Sequence, residues 1–87
     1  MNYRSLVVNR EELYSMGIDE DSGRWCFSIP VSMGFVDYSE HYEIDEETFE
    51  RFRADPDMAC SFAWACRYQR LDELLMEPPP ENRGTAV

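Results

Sequence analysis

The chain has 87 residues, with 18 Asp and Glu against 8 Arg and no Lys, so its formal charge is 8 − 18 = −10. That balance lacks the basic footprint that nucleic-acid binding requires, and an anionic membrane would repel it. Hydrophobic residues at 44% and aromatics at 14% exclude a disordered acidic tail, and area scaling leaves room for one modest core.

Residues 3–8 form a short apolar run with β-branched Val7 and Val8, which predicts an outer strand. Asn9-Arg10-Glu11-Glu12 then has the form of a helix start. Asn9 can cap, and Glu12 stands three residues on, where a capping-box side chain reaches back. Leu13 and Met16 share a helical face, and Gly17 suits a C′ stop. A two-turn helix is therefore expected over residues 9–17, followed by a loop at 19–23.

The strongest pattern is a β-hairpin at about 24–44. Trp25, Phe27, Ile29, Val31 and Met33 alternate with Cys26, Ser28, Pro30 and Ser32. Met33-Gly34 supplies a turn. Val36, Tyr38, Tyr42 and Ile44 then carry an apolar face, and Asp37, Ser39, His41 and Glu43 a polar one. Glu40 interrupts the apolar face, and a sheet-edge position with an arginine partner is its expected setting. Pro30 cannot donate a ladder hydrogen bond, so it marks a bulge or a stretch whose N–H side has no neighbour.

Two helices follow. Asp45 is a good N-cap, and Glu46, Glu47 and Glu50 place negative charge near a positive helix end. Phe49 and Phe52 point inward. Asp55-Pro56 is a second start, a cap followed by Pro at N1. Beyond it, Met58, Ala59, Phe62, Ala63 and Cys66 make one apolar face. Trp64, Tyr68, Leu71 and Leu75 make a second stripe, about 100° further round. That stripe exceeds what one side of a small sheet covers, so Trp64, Tyr68 and Leu75 are candidates for a homodimer or partner contact. Residues 1–77 are expected to form a single domain, and the Pro-rich residues 78–87 a flexible tail. The fold class is α+β: a small antiparallel sheet of two to three strands packed by two C-terminal helices. Its predicted core comprises Trp25, Phe27, Ile29, Val36, Tyr42, Ile44, Phe49, Phe52, Phe62 and Leu71.

Familiar chemistries find little support. A calcium loop starting at Asp19 would need Gly where Arg24 stands and an acid where Pro30 stands. Zinc would have to use Cys26, Cys60, Cys66 and His41, and Cys60 and Cys66 lie roughly 240° apart on a helix. The four glycines are scattered, so no phosphate cradle can be written, and there is no C-x-x-C. A Cys26–His41 pair across the hairpin is geometrically possible, but negative surroundings disfavour the thiolate. A pocket joining Cys26 or Glu40 to His41 would be needed to support an enzyme there. No catalytic residue, cofactor or metal is expected. Without an apolar run of signal-peptide or membrane-span length, a cytosolic protein with free thiols is expected.

The most distinctive surface feature is acidic. Asp37, Glu40, Glu43, Asp45, Glu46, Glu47 and Glu50 fall within fourteen residues that contain no Lys or Arg. Solubility and helix electrostatics account for Asp45, Glu46 and Glu47. They account less well for Asp37 and Glu43, which alternate with Ser39 and His41 on a strand. One contiguous negative face is expected, with Asp37, Glu40, His41, Glu43, Glu46, Glu47 and Glu50 as partner-binding residues. Such a field speeds encounter with a basic protein.

The stretch Gly23-Arg24-Trp25-Cys26-Phe27-Ser28-Ile29-Pro30, followed by Asp37-Tyr38-Ser39-Glu40-His41-Tyr42-Glu43-Ile44-Asp45, resembles the small acidic immunity proteins of bacterial polymorphic-toxin and contact-dependent inhibition systems. The resemblance is one of class. It implies inhibition of one cognate toxin by surface complementarity, with a nuclease-type toxin suiting an acidic inhibitor, and it carries over no functional residue. Two other functions remain open: a small dimeric structural or assembly domain, and a hydrolase-like enzyme centred on His41.

Overall fold

A computed structural model describes residues 1–32, 37–79 and 83–86. Strands β1 (Tyr3–Asn9), β2 (Tyr14–Asp19), β3 (Trp25–Ser32) and β4 (Asp37–Ile44) form an antiparallel meander in that order. Helices α1 (Glu46–Ala54) and α2 (Pro56–Arg67) follow, then a 3₁₀ turn at Asp72–Leu74 and a short strand β5 (Thr85–Ala86). The class is α+β, but the sheet has four main strands rather than two to three, because the expected helix over residues 9–17 is half of a hairpin.

The local chemistry explains that correction. Asn9 does cap, its side chain accepting from the Glu12 N–H at 3.0 Å, but the cap closes a turn. Leu13 then takes φ 58°, and the chain reverses into β2. From there Tyr14, Met16 and Ile18 alternate with Ser15, Gly17 and Asp19, a period of two that the helix pattern concealed. Gly17 is no helix stop. The β1–β2 register skips Leu6, a bulge that brings β1 so close that a Cβ on Gly17 would lie 2.0 Å from the Arg4 carbonyl oxygen.

The hairpin pairs Trp25 with Ile44, Phe27 with Tyr42, Ile29 with Glu40 and Val31 with Tyr38. Its expected turn at Met33-Gly34, and Val36 of the expected core, lie outside the described residues. On the other side of β3, β2 pairs only as far as Ser28, and β5 pairs Val31 and Ser32. Pro30 sits in the gap between them, where a residue without a donor is tolerated.

Both helix starts form as their sequences predict. Asp45 accepts from Thr48 N–H at 2.7 Å, and Asp55 accepts from Asp57 N–H at 3.2 Å ahead of Pro56. α2 stops at Arg67, and Gln69 turns the chain with φ 60°. Leu71 and Leu75 therefore leave the α2 stripe, and Leu75 forms a bridge to Tyr42 at the outer edge of β4. Among the described residues no helix is long and apolar enough to cross a membrane.

The helices cover one face of the sheet, here the front. Tyr14, Met16, Phe27, Ile29, Val31, Tyr42 and Ile44 meet Phe49, Phe52, Ala59, Ala63 and Cys66 there. Trp25, Phe62 and Leu71, expected in the core, are half-buried at its margin. Phe62 still packs edge-on against Phe27, with ring centroids 4.8 Å apart. Phe62→Ala should therefore cost about 3 kcal/mol, the lower end of the range for a buried ring, read as a fall in chemical-denaturation midpoint. Gly17→Ala should cost roughly 1–3 kcal/mol by overpacking against β1. An alanine variant with unaltered stability would show that β1 does not cross Gly17 so closely.

Candidate protein-binding surface

The meander leaves the back of the sheet without a helix. Alternation along β4 sends Tyr38, Glu40, Tyr42 and Ile44 to the front and Asp37, Ser39, His41 and Glu43 to the back. Asp37, Ser39 and Glu43 are exposed, and His41 is half-buried. The centre of this face is a polar cluster that the sequence did not announce. Ser28 Oγ lies 2.5 Å from His41 Nδ1, Tyr3 Oη lies 2.8 Å from Ser15 Oγ, and the Tyr3 and His41 rings pack with centroids 4.8 Å apart. Burial lowers the His41 pKa against the opposing pull of Glu77 and Asp19, which favours its neutral form.

A serine against a histidine invites comparison with an activated nucleophile. Ser28, however, is only 3% exposed, so its hydroxyl presents almost no surface to a substrate. Cys26 is fully buried, its sulfur against that of Met76 at 3.2 Å, and burial beside Asp19 pushes its thiol up to about 11. Burial pushes Cys66 up to about 12. A cleft at the β4 edge is lined by both Glu40 and His41, together with Leu75, Glu77, Pro78 and Pro79. It has a volume of about 120 Å³, below the roughly 300 Å³ at which ligand pockets begin. Within it, Glu40 and His41 point to opposite faces of β4.

The seven clustered acids do not form the single face expected of them. Asp37 and Glu43 lie on the back of the sheet, and Glu46, Glu47 and Glu50 are exposed on α1, in the front layer. The two groups meet only where β4 runs into α1. Several are paired: Glu43 with Arg24 at 3.0 Å, Glu47 with Arg51 at 3.0 Å, and Glu50 with Arg53. Among the described residues, Asp37 and Glu46 have no ion-pair partner. Trp64 and Tyr68 are 49% and 63% exposed, but Leu75 stands with β4 and not beside them.

Glu40 belongs to neither acidic group. It is 5% exposed and faces the front, where Arg83 clamps it through Nε (2.7 Å) and Nη2 (2.8 Å). The same guanidinium holds Asp72 at 2.8 and 3.0 Å. Tyr38 and Tyr42 hydroxyls donate to the remaining lone pairs of Glu40 at 3.1 and 3.0 Å. The predicted arginine partner is thus present, but it comes from within residues 78–87, expected as a free tail. Arg83 and β5 attach that segment to the sheet, while residues 80–82 and 87 lie outside the described residues.

Asp19 is a second missed organiser. The faint calcium run holds a turn together instead: Asp19 accepts from Ser22 Oγ at 2.7 Å and from the N–H groups of Asn2 and Asp21 at 3.1 and 3.2 Å. The Ser22 bond, followed by the Asn2 bond, brings its carboxyl down to about 2. Among the described residues, no group of three or more His, Cys, Asp or Glu side chains is placed to hold a metal ion. Comparison with protein-family models, curated proteins and solved structures finds no match.

The Glu40 clamp has a pH signature. Burial alone raises a carboxyl pKa, but the Arg83 hydrogen bond, with help from Tyr42, outweighs it, so Glu40 titrates below its ordinary 4.5. A depressed folded-state pKa contributes stability above the unfolded value that is lost as pH falls through the folded one. Removing Arg83 takes away the strongest of the interactions that hold the pKa down against burial, so the Glu40 pKa should rise and the stability it contributes at neutral pH should shrink. Arg83→Ala should cost about 3–5 kcal/mol at pH 7. The loss should shrink as pH falls, because protonation of Glu40 removes the carboxylate that Arg83 neutralises. Denaturation of wild type and variant between pH 4 and 7 reads this directly; a loss independent of pH would place Glu40 outside the coupling.

Proposed function

We propose that this protein is a non-enzymatic protein-binding domain that docks a basic partner surface on the exposed polar side chains of β4, on the back of its sheet, and on the adjoining start of α1. The observation that carries this is the position of Asp37, Ser39 and Glu43: exposed, on the one sheet face that no helix covers, in a chain of charge −10. These three side chains are exposed, so the outer part of this face is free to serve as contact surface. An immunity protein that neutralises a toxin with a basic cleft is the specific form of the proposal, and it rests on the class resemblance of residues 23–30 and 37–45.

Salt links between exposed Glu43, Glu47, Glu50 and their arginines contribute only about 0–1 kcal/mol each. They exchange readily for a partner's cations. The field of the whole molecule persists beyond the pairs, and such fields raise association rates by about 10 to 10³-fold. His41, bonded to Ser28, stiffens the centre of this face.

The test is a quadruple change, Asp37→Asn, Glu43→Gln, Glu46→Gln and Glu47→Gln, in a chain first used to capture its partner from the native source. The variant should keep its fold, associate at least about tenfold more slowly at low salt, and show a flatter dependence of on-rate on ionic strength. Equal on-rates for the two proteins at low salt would assign the charge to solubility and remove the acidic docking surface.

A further inference from the structure

The outer face of α2 points away from the sheet and carries a stripe at 4-3-4 spacing: Asp57, Ser61, Trp64 and Tyr68. At 100° per residue these four fall within about 60° of one another, opposite the buried Ala59, Ala63 and Cys66. All four are exposed. The large rings are held in place. Trp64 and Tyr68 stack with centroids 5.7 Å apart, Arg67 lies 5.2 Å over Trp64, and Arg70 lies 5.7 Å over Tyr68. Arg67 is itself tethered, donating to the Glu12 carbonyl and, at 3.0 Å, to the Leu13 carbonyl. An exposed, pre-ordered stack of Trp, Tyr and Arg has the composition of an interface anchor.

The two ends of this stripe are opposites. Its first turn has exposed acids, Asp55 and Asp57, and a small side chain, Ser61. Its C-terminal end has the bulky rings and Arg67, and the guanidinium of Arg70, which follows the helix, lies over the Tyr68 ring. A two-fold axis passing between residues 62 and 63 would align one α2 antiparallel to another. Residue i then faces residue 125 − i of the other copy. Trp64 falls over Ser61, a large ring over a small side chain. Tyr68 falls over Asp57, hydroxyl to carboxylate, and brings the Arg70 guanidinium, 5.7 Å from its ring, beside Asp57. Antiparallel alignment also opposes the two helix dipoles favourably. A parallel alignment would set Trp64 on Trp64 and like charges on like. The sequence of the stripe is therefore self-complementary in one orientation only.

We propose that α2 is a homodimerisation surface and that its occupant is the α2 of a second copy, antiparallel about a two-fold axis at residues 62–63. The contact is isologous and closes on itself. It goes beyond the binding function proposed above and does not rest on it, since the stripe and the back of the sheet lie on opposite sides of the molecule. A dimer built this way presents two copies of the sheet face outward. The stripe is only about 17 Å long, so the interface is at the small end of the range and the dimer is a weak one, with Kd between about 1 µM and 1 mM.

Charge exchange across the axis gives a test that a fold defect cannot mimic. Asp57→Arg alone should abolish the dimer, because it sets the new guanidinium against Arg70 of the other copy. Arg70→Asp alone should abolish it too, by setting acid against acid. Mixed in equal amounts, the two variants should associate again, because both cross-axis contacts between positions 57 and 70 then join a guanidinium to a carboxylate. Trp64→Ala, an exposed site that leaves the core intact, should weaken the wild-type dimer at least about tenfold. Sedimentation equilibrium of the full chain at concentrations up to about 1 mM reads all four. A strictly monomeric wild type over that range overturns the proposal. So does retained dimerisation in both single variants, or failure of the mixture to recover association.

Discussion

Phe27 has no exposed surface, and three rings close on it: Tyr14 stacked at 5.0 Å, Phe62 edge-on at 4.8 Å and Phe52 edge-on at 5.9 Å. They come from β2, α2 and α1, so this single side chain on β3 is where both helices and the sheet are held together. Its strand neighbours Met16 and Tyr42 are fully buried as well. In a chain of this size one apolar face is all that folding can bury well. The helices are committed to it, and the back of the sheet carries mostly polar side chains, with Cys26 buried against Met76.

Much of this is legible in the sequence, and the failures have physical causes. The β3–β4 hairpin and both helix caps can be read because each depends on neighbours within a few residues. The 9–17 segment misleads because Asn9 capping Glu12 is common to helix starts and to turns. What decides between them is Leu13 in the left-handed region, and nothing in a leucine's side chain announces that. Leu75 is misplaced because its spacing from Trp64 keeps a helical period in the sequence after the helix itself has ended at Arg67. The seven acids are a cluster in sequence, but strand alternation divides them between faces, and Glu40 is the buried member of a clamp. An arginine partner for Glu40 is expected and found. Which arginine is not legible, because Arg83 is 43 residues away. The Ser28–His41–Tyr3 cluster is likewise hidden, since only the assembled meander brings β1 within reach of β4.

The arginines are used in three ways. Arg24, Arg51 and Arg53 sit at the rim in exposed pairs, where water and salt compete with them. Arg83 is different: it is 15% exposed, bidentate to one carboxylate and bidentate to another. Its fork geometry satisfies both at once, which a lysine could not do. Arg67 and Arg70 form a third use, lying over ring faces. A strongly acidic chain with eight cations and no lysine has therefore used guanidinium planarity in each place where a cation matters structurally.

The strand order has a kinetic meaning. β1 to β4 are each hydrogen-bonded to the next in sequence, through connections of a few residues, so most pairing is local and closes with little loss of chain entropy. β5 breaks that rule, pairing across more than half the chain, and the Arg83–Glu40 clamp spans 43 residues. Neither can be rewarded before the meander and α2 exist, because Glu40 acquires its setting only from Tyr42 and the end of α2. Topology therefore favours early formation of the adjacent hairpins and the rings around Phe27, with the docking of residues 83–86 expected last, adding the final strand and neutralising a carboxylate that burial makes costly.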